Sequence, residues 1–218
     1  MLTNADSGGG GLPGRGLTLR VVGDSLRSGV MAVAPITYVR HAMAVLDESV
    51  HPTEWRLDAT GRAAAATLAQ TLEVGDGIGA LVTSSEPKAL ETAEAIGERW
   101  HVAVRADDRL REAVRPWIGP GYRAMAHHYL RGEPYDGWEP HAEVAARTSA
   151  AVEDAVAAAN GGPVVVVSHG LALCLHLAHR LGDGFDPDLF WSCLAFPDAW
   201  ALGPGDLLHR PLKGVPIG

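Results

Sequence analysis

Ile36-Thr37-Tyr38-Val39-Arg40-His41 and, about 130 residues later, Val164-Val165-Val166-Val167-Ser168-His169 decide how this chain folds. In both stretches a short β-branched run ends and a histidine follows within two residues. Four consecutive valines, with no polar alternation, are what a strand covered on both faces requires. In open α/β sheets, ligands sit just beyond the carboxyl ends of such strands. Two strand-end histidines, one beside an arginine, therefore mark a site for an anionic group such as phosphate.

Working outward, strands and helices alternate. After the first histidine, Asp58 to Glu73 reads as an Ala-rich helix, with Ala65, Leu68, Ala69 and Leu72 at helical spacing. Ala80-Leu81-Val82 is a short buried strand. Thr83-Ser84-Ser85 offers N-cap residues for a helix from Glu86 to Trp100, with Pro87 tolerated in its first turn. Val102-Ala103-Val104 reads as a third strand. Residues 113–140 read as irregular and rich in proline, glycine, tryptophan and histidine, a lid or small lobe. His141 to Asn160 is a long helix stopped by Gly161-Gly162-Pro163. A helix over Gly170–Leu181 and a strand over Ala199–Leu202 complete the pattern. The alternation predicts an α/β fold, a three-layer α/β/α sandwich around a mostly parallel central sheet. Residues 1–30, with four consecutive glycines at 8–11, read as a flexible tail ahead of a domain over 31–218.

Composition narrows the function. The 218 residues carry a net charge of −8 and are 47% hydrophobic, ordinary for a globular protein. That charge argues against general nucleic-acid or anionic-membrane binding. No apolar run approaches the ~20 residues of a membrane span. Cys174 and Cys193 form no metal or disulfide pattern, and a cytoplasmic location is the default expectation. His176 and His179 share a spacing that could hold a metal, but with no acidic or cysteine partner beside them no metal site is expected. His127-His128 offers one side chain that could face a substrate, and Arg111 and Arg115 could add positive potential at a pocket mouth. Phe190, Trp191 and Phe196 read as core.

Several ordered motifs resemble the histidine phosphatase superfamily, also called phosphoglycerate mutase-like. Val39-Arg40-His41-Ala42 resembles its strand-end Arg-His-Gly, with Ala for Gly. Thr83 to Ala93, TSSEPKALETA, is similar to its Ser-rich turn and Arg-Ala-x-x-Thr-Ala helix, with Lys88 in the arginine's place. Leu110-Arg111-Glu112 resembles the segment carrying its acid–base glutamate, and Val164 to Gly170 its second histidine motif. The resemblance implies catalytic residues His41, Glu112, Arg40 and His169. His41 would be the nucleophile and Glu112 would protonate the leaving oxygen. Arg40, Lys88 and His169 would hold the phosphate. No cofactor is implied, and the partner is a small phosphorylated substrate.

Lys88 stands out because the chain has two lysines against sixteen arginines. A lysine binds phosphate as a point charge without the bidentate fork. The mutases follow the first histidine motif with Glu-Ser and shortly an Asn, where this chain has Met43, Ala44 and Asp47. They follow the second with Asn, where this chain has Leu171. The expectation is thus a phosphomonoesterase, with a phosphoglycerate mutase and a phospho-ligand-binding pseudophosphatase as alternatives. Oligomeric state is open, a homodimer included.

Overall fold

The computed structural model describes residues 35–133 and 135–212. The stretch expected to be a tail, residues 1–30, lies outside the described residues, as does Lys213. Successive strand residues point to opposite faces of a sheet, so the valine run needs apolar neighbours on both sides. It has them. In β4 (Val164–Ser168), Val164 and Val166 join one hydrophobic cluster with Tyr38, Val144, Leu171 and Trp200, while Val165 and Val167 join another with Leu68, Ala93 and Ile96.

The first cluster packs under α3 (Tyr122–Leu130), α4 (His141–Ala158), α5 (Gly170–Leu181) and α6 (Pro187–Cys193). The second packs under α1 (Ala59–Thr71) and α2 (Pro87–Trp100). The sheet between them has six strands in the order β3-β2-β4-β1-β5-β6. β1 (Ile36–Arg40), β2 (Ala80–Thr83), β3 (Val104–Ala106) and β4 run parallel, while β5 (Asp198–Leu202) and β6 (Leu208–His209) are antiparallel additions at one side. The architecture is the mostly parallel three-layer sandwich expected from the alternation.

Register brings the two diagnostic stretches together. Arg40 is the partner of Ser168 across the β1–β4 ladder, so His41 and His169 leave adjacent strand ends, and the His41 N–H donates to the Ser168 carbonyl at 3.1 Å. β2 ends level with them, the Ser84 N–H donating to the Val167 carbonyl at 3.0 Å.

Some local readings change. β3 begins at Val104, because α2 ends through His101 in the left-handed region and the Val102 N–H still donates to Gly97. The N-cap of α2 is Glu86, with no side-chain cap bond. The segment 113–140 is not irregular throughout. It contains α3, whose Ala126, Tyr129 and Leu130 pack into the main core with Trp138. A nine-residue helix in a stretch crowded with glycine and aromatic residues has little periodic signal to reveal it. Among the described residues, no helix is long and apolar enough to cross a membrane.

Candidate active site

The four parallel strands deliver their carboxyl ends to one cavity of about 610 Å³, lined among others by Arg40, His41, Glu86, Lys88, Glu112 and His169. Every site residue expected from the sequence therefore meets at one place.

His41 follows β1 directly. Its Nδ1 lies 2.7 Å from the Ala42 carbonyl, which can only accept, so Nδ1 carries the proton and donates. The lone pair is then on Nε2. Burial pushes the His41 pKa well below 6.5, with His169 and Lys88 adding to the effect. The ring is thus neutral with a free nitrogen lone pair. Ala42, the replacement for the motif glycine, is fully buried beside Trp55, Leu57 and Ala65. Its N–H donates to Thr92 Oγ1 at 3.0 Å, which fixes the turn after His41.

His169, the N-cap of α5, lies 4.9 Å from His41 between ring centroids. Burial also pushes its pKa well down, with Lys88 next in weight, so it is neutral too. Its Nε2 is 2.8 Å from Ser84 Oγ, which already accepts from the Glu86 N–H. Its Nδ1 is left without a partner. The next residue must be small. A Cβ on Gly170 would sit 2.7 Å from the Trp191 indole nitrogen and 3.3 Å from the Arg40 guanidinium carbon.

Arg40 is only 8% exposed. It donates to the Leu194 carbonyl at 3.1 Å and lies 3.4 Å over the Phe196 ring, while its Nε has no partner. Among the described residues no carboxylate comes within ion-pair distance of it. A buried guanidinium without a counter-ion is costly unless an anion joins it.

Lys88 is held differently. Its Nζ donates to Glu86 Oε2 at 2.5 Å and to the Pro52 carbonyl at 2.7 Å. Glu86 is the site residue that the motif reading missed. Its other oxygen accepts from the Glu112 N–H at 2.9 Å and lies 3.6 Å from His169 Nε2. The available signal was a carboxylate two residues before the lysine that replaces an arginine.

Glu112 lines the cavity, but both its oxygens are engaged. Oε1 accepts from the Ala113 and Ala172 N–H groups and Oε2 from the Leu171 N–H. The carboxylate thereby occupies the first turn of α5, where backbone N–H groups favour an anion. Arg147 of α4 fixes the segment from behind, donating to the carbonyls of Arg109, Arg111 and Glu112 and bidentately to Glu139.

Of the other candidates, Arg111 and Arg115 do line the cavity. His127 and His128 do not. His127 is bonded to Asp188 and stands edge-on to Trp191, and His128 is bonded to Glu133. His176 is core, bonded to Tyr38 and Ser149, with burial pushing its pKa down to about 4. Phe190 is core as expected, whereas Trp191 is core and also lines the cavity, and the half-buried Phe196 lines the cavity without joining the core, a correction to the core-only reading. That reading judged side chains by apolarity alone, and a large ring can bury one edge in the core and present the other to a ligand.

Residues 36–197 match the model of the histidine phosphatase superfamily, branch 1, and the chain belongs to this family. It is 36% identical over 126 residues to an uncharacterised protein of Mycobacterium tuberculosis strain H37Rv, over 54% of this chain and 62% of that protein. The chain thus matches less than two thirds of that relative's length. Solved structures share the fold. YhfR of Bacillus stearothermophilus has a TM-score of 0.63 at 23% identity, over 84% of this chain and 98% of that one. A mycobacterial glucosyl-3-phosphoglycerate phosphatase with inorganic phosphate has a TM-score of 0.61, again at 23% identity and with the same coverage. A phosphoglycerate mutase of Bacillus anthracis has a TM-score of 0.56 at 17% identity, over 81% of this chain and 92% of that one.

Proposed function

We propose that this chain is a phosphomonoesterase that works through a phosphohistidine on His41, with no metal ion in the reaction. The observation that carries the reading is the pairing of Arg40, buried and, among the described residues, with no carboxylate in ion-pair contact, with a neutral His41 whose Nε2 lone pair is free. A phosphate monoester supplies the missing anion, and its phosphorus comes within reach of the nucleophile.

The Nε2 lone pair attacks phosphorus as the bond to the leaving oxygen breaks. Nδ1 keeps its proton, and the Ala42 carbonyl stabilises the charge that the ring gains. The transferring group spreads negative charge over three oxygens, so most of the catalysis is positioning and electrostatics. Arg40 and the His169 ring supply the donors for that charge. The leaving oxygen needs a proton, which the family resemblance assigns to Glu112. Glu112 must take up this proton with the substrate and release one of its backbone bonds to deliver it. Water then attacks the phosphohistidine, the nitrogen–phosphorus bond breaks, and the water proton returns to the carboxylate as inorganic phosphate leaves.

A second reading, binding of phospho-ligands without turnover, is favoured by two observations. Glu86 already neutralises Lys88, and the Glu112 oxygens are committed to the first turn of α5. Hydrolysis of p-nitrophenyl phosphate in the presence of a chelator separates the two. Turnover that is lost in His41→Ala, with a phosphoryl adduct on His41 after acid quench, supports the enzyme. Inorganic phosphate binding with no turnover of any monoester supports the binding module. Reversible loss of turnover on chelation overturns the metal-free mechanism.

A further inference from the structure

The cavity has two chemically distinct halves. Its floor holds Arg40, the two histidines and the Glu86–Lys88 pair. The wall above the floor is a run of rings. Trp55 stands edge-on to Trp117 at 4.9 Å, Trp117 meets Tyr122 at 5.9 Å, and Tyr122 meets Trp191 at 6.5 Å. Phe196 closes the wall beside His41 at 5.4 Å. The rim is apolar as well. Met43, Leu46 and Val114 line the cavity mouth and are 52%, 66% and 52% exposed. They make up three of the six large hydrophobic side chains that stand exposed among the described residues. Single exposed apolar residues are ordinary, but their concentration around one mouth marks a binding site.

The wall's cations lie against its rings or are paired with carboxylates. Arg115 lies 4.5 Å over the Tyr122 ring and Arg123 lies 5.3 Å over the Trp191 ring. Arg111 is committed to Asp108 and Glu139. A polyhydroxylated or carboxylated leaving group would lose its hydration against these rings, with Arg115, whose Nε has no partner, and Arg123 as the donors left to meet it.

We propose that the natural substrate is a phosphate monoester of a bulky apolar alcohol, aryl or long-chain alkyl, with the phosphoryl group at Arg40 and the apolar part along the Trp55–Trp117–Tyr122–Trp191 wall. The proposal rests on the phosphatase reading and names its substrate class. It separates this chain from relatives named for polar phosphorylated metabolites. A cavity of about 610 Å³ accepts a group far larger than glycerol or serine.

The test is a series of methyl, butyl, hexyl and octyl phosphate, with 1-naphthyl phosphate and glycerol 3-phosphate beside it. Both kcat/KM and binding, read by tryptophan fluorescence, are measured on the wild-type chain. The expected result is a rise of about fourfold per added methylene, the fold-change of 0.8 kcal/mol. 1-Naphthyl phosphate should exceed glycerol 3-phosphate at least a hundredfold. Trp117→Ala should shrink that ratio about tenfold, chiefly through KM. Turnover with no chain-length dependence, or with glycerol 3-phosphate preferred, overturns the proposal and leaves the phosphatase reading intact. Chain-length-dependent binding with no turnover of any member keeps the apolar ligand and removes the hydrolysis. Neither binding nor turnover of the apolar members removes the proposal outright.

Discussion

Arg40 and Lys88 sit in one cavity and carry the same charge, yet they are in opposite electrostatic states. Arg40 ends β1, stacked on Phe196, with one carbonyl for a partner and Nε unpaired. Lys88 opens α2 with a carboxylate and a carbonyl on its ammonium. The difference shows that burial of a cation does not by itself make a phosphate ligand. A cation with a carboxylate in contact is satisfied before substrate arrives, while one that feels Glu112 and Asp198 only at a distance keeps more of its demand for an anion. On the proposed reading, phosphate binding is concentrated on Arg40, and the lysine's contribution is set by how firmly Glu86 holds it.

The largest expected effect tests the unpaired half. Arg40→Met should lower kcat/KM for p-nitrophenyl phosphate about a thousandfold, the usual cost of losing a positioned donor to a developing anion. The same change should leave Tm unchanged or raise it, because it removes a buried charge that has no carboxylate in contact among the described residues. A Tm several degrees lower would show that Arg40 has a structural counter-ion and would break the comparison.

The paired half should behave the other way. Glu86→Gln and Lys88→Met should each destabilise the fold by about 3 kcal/mol, since each leaves a buried charge alone. The double variant should cost less than either single change, a coupling that urea unfolding measures through a double-mutant cycle. Additive costs would mean that the pair is not coupled. At the level of binding, Glu86→Gln also frees the lysine and should tighten inhibition by inorganic phosphate roughly tenfold. An unchanged inhibition constant would show that Lys88 does not face the phosphate at all.

The smallest effect at neutral pH concerns the neutral rings. His41 and His169 are pushed well below 6.5 chiefly by burial, and His176 down to about 4. The acid limb of kcat/KM should accordingly lie well below pH 6.5, with activity flat through the range where a free imidazole titrates. Stability follows the same groups. Below pH 6.5 the unfolded chain takes up protons that the folded chain refuses, so stability is fully present above 6.5 and declines as pH falls toward 4. Thermal unfolding across this range checks the sign. A Tm that rises on acidification would mean that these rings are stabilised as cations.

Much of the site was legible before the fold was known, for reasons visible in particular residues. Val164 to Val167 could only be a doubly covered strand, and a histidine after each of two strands had to lie at one end of a parallel sheet. Glu86 and the aromatic wall were not legible. Glu86 looked like an ordinary first-turn carboxylate, and its contacts to Glu112 and His169 cross 26 and 83 residues of sequence. Trp191 and Phe196 looked like core because apolarity says that a ring is covered, not what covers it. α3 was hidden because its helical face is short and the aromatic residues around it blur the period.

The amino-acid sequence by itself determined the alternation of strands and helices, the placement of Arg40, His41 and His169 at strand ends, and the lysine in an arginine's place. These are consequences of local periodicity and of residue chemistry, which the chain carries wherever it goes. Only the tertiary structure decided which cation has a carboxylate in contact and which does not, that Glu112 rests on the first turn of α5, and that the cavity above Arg40 and the two histidines is walled with rings. Those outcomes depend on distances of a few ångströms between residues far apart in sequence, where one intervening carboxylate decides whether a buried charge is satisfied or waiting.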